Sequence, residues 1–313
     1  MTAPVTVKRT PQRGGVPLPV SDRRRGPGRR QRVAYLFIAP FFVVFVAFQL
    51  AAMVVSLGMS LTDWKGAIGG QFVGLGNYAA LFGDPAFLKA LWHTLVIWVL
   101  TVPVLTFGGL FLAHLLNGAM VKAKPLLRVL LFLPVLPSLV VVGVVFLLLL
   151  DPVFGLPNII LARLGLPIVD LRNDPSTALP VLSLVVIWRW LGYNVTIHLA
   201  GLQALPRDVF ESARVDGANA WQTFWRVLVP MSKPTLVFVT IMSTIGIFNL
   251  FDEPYVLFGS EAGPAQAGLT LGVYMYKQGF EFFNLGYASA ISYSIAALVF
   301  VASLIQLKAS RDD

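Results

Sequence analysis

The sequence contains no cysteine, which excludes disulfides, thiolate metal sites and a cysteine nucleophile. Charge is scarce as well: Asp, Glu, Lys and Arg make up 12% of the 313 residues, and only 15 residues are acidic. The three histidines, His93, His114 and His198, lie far apart and fit no metal-ligand spacing, although distant residues can still converge in a helical bundle. No Gly-Lys pair occurs, so there is no P-loop to cradle nucleotide phosphates. A G-x-S-x-G nucleophile elbow is also missing. These absences leave no catalytic constellation to assemble, no metal or cofactor to expect, and nothing that hydrolyses ATP. If the chain moves a solute uphill, the energy comes from a partner or from an ion gradient.

What the chain has in abundance is apolar sequence: 57% of residues are hydrophobic and the mean hydropathy is +0.76, values typical of a membrane protein. A membrane-crossing helix needs roughly 20 mainly apolar residues at about 1.5 Å rise each. Six segments reach that length: residues 34–57, 94–116, 129–150, 178–202, 234–258 and 285–305. The first is longer than a signal-peptide core and lacks a small-residue cleavage site, so it reads as an uncleaved span. The fifth is interrupted by Asn249, Asp252 and Glu253, and charge at bilayer depth costs about 2.5 kcal/mol or more unless it faces protein or water.

The net charge of +9 is unevenly spread. Nine basic residues precede the first span, and 18 of the 24 fall on one side if both termini are cytoplasmic. The opposite side then receives Lys65, Lys89, Arg163, Arg172 and Lys277, while Arg189 lies within the fourth span. The excess of Lys and Arg on the cytoplasmic side sets the orientation and argues against a nucleic-acid partner. Residues 1–32 read as a disordered basic cytoplasmic tail, either simply solvated or in contact with anionic lipid. Residues 33–309 form the six-helix domain, and residues 310–313 a short C-terminal tail.

Between the fourth and fifth spans, residues 206–230 are too polar to cross a bilayer yet strongly patterned. Pro206 and Asp208 suit a helix start. Phe210, Ala213 and Arg214 follow at helical spacing, and Asp216-Gly217 supplies a stop, because glycine tolerates the left-handed conformation a helix end requires. A second amphipathic helix carries Trp221, Phe224, Trp225 and Leu228, and Pro230 closes it. The result is a helix-turn-helix projecting at the basic face.

This stretch resembles the EAA loop of permease subunits of ABC importers. Glu211-Ser212-Ala213, then Gly217, then Val227-Leu228-Val229-Pro230 follow its spacing, with Ser212, Val227 and Val229 as small or volume-similar departures. The segments Phe72-Val-Gly-Leu-Gly-Asn-Tyr78, Leu199-Ala-Gly-Leu-Gln-Ala-Leu-Pro206 and Gly286-Tyr-Ala-Ser-Ala-Ile291 are similar to the maltose, glycerol-3-phosphate and oligosaccharide branch of that family. The resemblance implies an all-α, type I importer permease of a bacterial inner membrane. It pairs with a second permease, binds two ATPase subunits and receives solute from an extracytoplasmic binding protein. ATP is then used by the partner. Glu211, Ser212, Ala213, Asp216, Gly217 and Pro230 would form the contact through which ATPase closure moves the spans. In that role Glu211 is the acidic contact and Gly217 makes the turn.

A sugar path should show amides or carboxylates beside aromatic rings. Asn249, Asp252 and Glu253 stand at i, i+3 and i+4, on one face of an unbroken fifth helix. By the same resemblance, the sugar contacts of the maltose-type permease fall on Leu191, Gly192, Phe248, Asn249 and Asp252. The alternative is structural: amides bridging helices, and the carboxylates pairing a base such as Arg189. Aromatic residues near span ends read mainly as interface anchors. An ion-coupled secondary transporter remains the rival class.

Overall fold

A computed structural model describes residues 30–67, 69–118 and 123–311; the basic tail up to residue 29 and residues 312–313 lie outside the described residues. Among the described residues there is no β-strand, only an isolated bridge between Thr62 and Phe72. In chain order, α1 spans residues 30–60, α2 Gly76–Gly83, α3 Pro85–Asn117, α4 Lys124–Val135, α5 Leu139–Leu149, α6 Leu156–Arg163 and α7 Ala178–Gln203. Then follow α8 Arg207–Val215, α9 Ala220–Met231, α10 Lys233–Phe248, α11 Asp252–Phe258, α12 residues 271–281 and α13 Leu285–Arg311. By its internal contacts the chain divides after Ala52, within α1. The portion from Met53 onward holds everything considered below.

Among the described residues four helices are long and apolar enough to cross a membrane: Phe37–Ser60 of α1, then α3, α7 and Leu285–Ser310 of α13. Counting each of two bent pairs as one span raises the number to six. The expected third span is one such pair: α4 and α5 meet at 93°. Pro134 and Pro137 sit at this break, where neither can donate the backbone hydrogen bond a continuous helix needs. Ser138 then starts α5 by accepting from the Val141 N–H. The other pair is α9 and α10, bent by 75° at Ser232. The C-terminal tail expected from residue 310 begins as helix, since α13 runs through Arg311.

The expected fifth span is not one helix. α10 stops at Phe248, residues 249–251 are non-helical, and α11 begins at Asp252. Pro254 explains the stop: it has no N–H to give the Leu250 carbonyl, which instead accepts from the Thr270 hydroxyl at 2.6 Å. Asn249, Asp252 and Glu253 therefore do not share one helical face.

Three apolar clusters run through the bundle along α3. At its N-terminal end Phe87 and Ala90 pack with Phe248, Leu271 and Ile291. In the middle Ile97 meets Leu182, Val185 and Ile247. At its C-terminal end Leu110 and Ala113 meet Val195, Leu199, Phe224 and Leu228. The helix-turn-helix of α8 and α9 therefore lies at the end of α3 opposite Asp84.

At that opposite end a polar clamp joins three helices. Asp84 caps α3 by accepting from the Ala86 N–H at 2.9 Å. Its other oxygen accepts from the hydroxyls of Tyr274, in α12, and Tyr287, in α13, the latter at 2.7 Å. Burial alone would raise the Asp84 pKa, but these hydroxyls and the Ala86 and Phe87 N–H groups outweigh it and hold the carboxyl below its ordinary value.

Candidate functional site

The helix-turn-helix forms as its residues dictate. α8 ends at Val215, and Gly217 takes φ +78°, the left-handed conformation. The Ala218 N–H then reaches back to the Ala213 carbonyl at 3.0 Å, which satisfies an end-of-helix acceptor. α9 starts with a reciprocal cap: Asn219 Oδ1 accepts from the Gln222 N–H at 2.8 Å while Gln222 Oε1 accepts from the Asn219 N–H at 2.9 Å. The Asn-x-x-Gln spacing is a sequence-level signal for that cap, and it sharpens where the second helix begins. The pattern places the end of this helix at Pro230, whereas α9 runs through it to Met231. The turn before it, Phe224–Leu228, is wound wider, with the Val229 N–H reaching the Phe224 carbonyl, which relieves the proline ring against the preceding turn.

This segment is fastened on one side and open on the other. Phe224 and Leu228 are buried in the cluster with Leu110, Val195 and Leu199, and Phe210 packs against it from α8. Glu211, Ser212, Asp216, Gly217 and Pro230 are exposed, and Ala213 is partly covered. A rigid body pressing on the exposed face of α8 would therefore act on the ends of α3 and α7 through Phe224 and Leu228.

A second feature is a cavity of about 510 Å³ between α7, α10 and the break at 249–251. Its polar lining includes Arg189, Trp190, Asn194, Asn249, Asp252 and Glu253. Of the five positions expected to form a path, Asn249 and Asp252 line it, both exposed. Although the helix is broken, Asn249, Asp252 and Glu253 still line one cavity. The other three expected positions do not line it. Phe248 is buried in the cluster with Leu271 and Ile291, and Leu191 packs against the cluster around Leu110. Gly192 is where α7 crosses α4: a Cβ there would lie 1.7 Å from the Leu131 carbonyl oxygen, so the crossing requires glycine.

Arg189 and Glu253 form a buried ion pair at the cavity wall, Nε to Oε1 3.7 Å apart. The Trp190 indole N–H donates to the same Glu253 oxygen at 3.1 Å. Arg189 Nε and Nη1 have no protein hydrogen bond, so the guanidinium relies on charge pairing and on what fills the cavity. The structural alternative posed for Glu253 is thus realised. Among the described residues no group of three or more His, Asp or Glu is placed to hold a metal ion.

Comparison with known proteins bears directly on this arrangement. The profile of the family described as "Binding-protein-dependent transport system inner membrane component" matches residues 72–311. The lactose transport system permease protein LacF of Rhizobium radiobacter is 37% identical over 281 residues, covering 89% of this chain and 94% of the relative. The arabinooligosaccharides transport system permease protein AraP of Bacillus subtilis is 37% identical over 284 residues, covering 90% and 89%. Among solved structures, a bacterial ABC transporter involved in the import of the acidic polysaccharide alginate shares the fold. Its TM-score is 0.77 at 23% identity, over 90% of this chain and 96% of that one.

Proposed function

Since the chain belongs to the family of binding-protein-dependent transport system inner membrane components, we propose that it is the permease subunit of an ATP-driven importer of carbohydrates. In this reading six spans cross the bacterial inner membrane with both termini in the cytoplasm, the bent pair α4 and α5 counting as one span and α10 with α11 as another, while α9 belongs to the cytoplasmic helix-turn-helix. A second permease completes the pathway, two ATPase subunits dock on the cytoplasmic side, and an extracytoplasmic binding protein delivers the solute. The named relatives that transport lactose and arabinooligosaccharides support the substrate class.

The observation that carries the proposal is the helix-turn-helix, anchored by Phe224 and Leu228 while it presents Glu211, Ser212 and Asp216 outward. An ATPase gripping α8 moves an element that cannot shift without shifting α3 and α7. Alternating access then follows as a population shift between outward- and inward-open arrangements, driven by the ATPase binding the two differently. The cavity offers two amides, two carboxylates and one guanidinium, a set suited to a neutral polyhydroxylated solute.

The test is co-purification with an ATPase subunit, followed by uptake in proteoliposomes. Glu211→Lys is expected to leave the membrane fold intact but to uncouple ATP hydrolysis from transport. Normal coupled uptake by that variant, or uptake by the isolated chain without ATP, overturns the proposal.

A further inference from the structure

His198, on α7, is fully buried and its hydrogen-bonding capacity goes unused. Its ring approaches the backbone of Thr106 on α3, but outside hydrogen-bond geometry, so among the described residues neither Nδ1 nor Nε2 has a partner. An unmet donor and acceptor are costly in a buried seam, and polar side chains inside membrane-crossing helices persist chiefly where they serve function. A leucine would fill the same place without that cost.

Where α3 meets His198 it is irregular. Residues Val104–Gly108 are wound wider than an α-helix, and the Gly109 N–H is shared between the Val104 and Thr106 carbonyls. A small change of winding therefore frees the Thr106 carbonyl. The Thr106 hydroxyl is held only by a long contact, 3.3 Å, with the Thr240 hydroxyl. Gly109 faces the imidazole: a Cβ there would lie 3.1 Å from His198 Cδ2 and 3.6 Å from the Asn194 Cβ. The two helices thus approach closely at a glycine, beside a ring with no fixed partner.

This joint lies between the two features described above. Asn194, one turn before His198 on α7, and Leu105, in the wide turn of α3, line the cavity. Leu110, Val195 and Leu199, on the other side of the joint, pack with Phe224 and Leu228 of α9. A push on the helix-turn-helix reaches the cavity wall through this crossing.

We propose that His198 is a positioning residue for alternating access: its ring has no partner in the arrangement seen here, and in the alternate arrangement α3 rewinds at residues 104–108 and the ring donates to the Thr106 carbonyl. The inference rests on the reading of the chain as an ATP-driven permease. Close packing of Gly109 on the ring favours one arrangement and the hydrogen bond favours the other, so the seam has two discrete states that a force on α8 and α9 can tip.

The experiment uses the complete importer with its binding protein in proteoliposomes and compares wild type, His198→Leu and His198→Gln. Leucine removes the unmet polar atoms and denies the alternate arrangement its hydrogen bond. The thermal unfolding midpoint should therefore hold or rise while the maximal rate of lactose uptake falls roughly tenfold, the worth of one hydrogen bond. Glutamine keeps an N–H donor and should transport severalfold faster than leucine. Because the chain has no cysteine, Ser243→Cys in the cavity lining reports the state of the cavity through its rate of maleimide labelling. ATP should change that rate when His198 is present and change it far less with His198→Leu. A lower midpoint with a matching loss of uptake makes His198 a packing residue and overturns the proposal. An ATP-dependent labelling change that survives His198→Leu, or glutamine no better than leucine, overturns it as well. The labelling needs no solute, so failure of the carbohydrate reading, seen as no uptake by the wild type, stays distinct from failure of the joint.

Discussion

Replacing Glu253 by glutamine keeps the side chain's shape and its acceptor for the Trp190 N–H, but removes the charge facing Arg189. The two side chains are 6% and 9% exposed, and their closest atoms are 3.7 Å apart. Unit charges about 4 Å apart attract by about 4 kcal/mol at an effective dielectric near 20. Taking one partner from a buried pair costs about 3 to 5 kcal/mol, because the remaining charge stays desolvated. Arg189 has no protein hydrogen bond from Nε or Nη1 to fall back on. Glu253→Gln should therefore lower the midpoint of thermal unfolding by roughly 6 to 20 °C, at about 2 to 4 °C per kcal/mol for a domain of this size. The double variant Arg189→Met with Glu253→Gln removes both charges and should recover most of that loss, since an apolar replacement of a buried pair is often near neutral. Tryptophan fluorescence in detergent follows both unfolding transitions. If the single variant unfolds within a degree or two of wild type, or the double variant is no better than the single, the pair does not hold the cavity wall together.

The remaining predictions concern the path, the helix crossing and the outer clamp. Asn249→Ala should weaken transport by severalfold without impairing assembly; an unchanged uptake rate and substrate range, measured in proteoliposomes, removes Asn249 from the path. Gly192→Ala places a Cβ at 1.7 Å from the Leu131 carbonyl oxygen and must push α7 off α4, so it should destabilise by several kcal/mol, at the upper end of the range for overpacking, read as a lower unfolding midpoint. Asp84 has a folded pKa below its ordinary value of 3.8, so its contribution is fully present above that value and is lost as pH falls through the lower folded value. The stability gap between wild type and Asp84→Asn should accordingly be constant at neutral pH and close in acid; a gap that persists unchanged at the lowest pH contradicts the assignment.

Much of this molecule was open to reading along the chain because its strongest signals are local. Apolar runs of membrane-crossing length stand out against a 12% charged background, and α3, α7 and α13 lie where the runs predict. The end of α8 at Gly217 was legible for the same reason: a glycine after a short amphipathic stretch answers a local steric demand, and φ +78° meets it. The positions of Glu211, Ser212 and Asp216 on an exposed turn follow from that.

What the chain alone could not decide is where local rules conflict with distant partners. Pro254 is visible in the sequence, but whether it kinks a span or ends it depended on the Thr270 hydroxyl taking the Leu250 carbonyl from 20 residues away. The same break moves Phe248 into the core and leaves Asn249 and Asp252 at the cavity. Resemblance to the maltose-type permease puts Gly192 among the sugar contacts, whereas the crossing of α7 over α4 makes it a packing position. The clamp of Asp84 with Tyr274 and Tyr287 joins groups far apart along the chain, and side chains at such separations leave no periodic trace. Helix length and turn chemistry are settled by neighbours in sequence, whereas the cavity exists only because non-neighbouring helices pack.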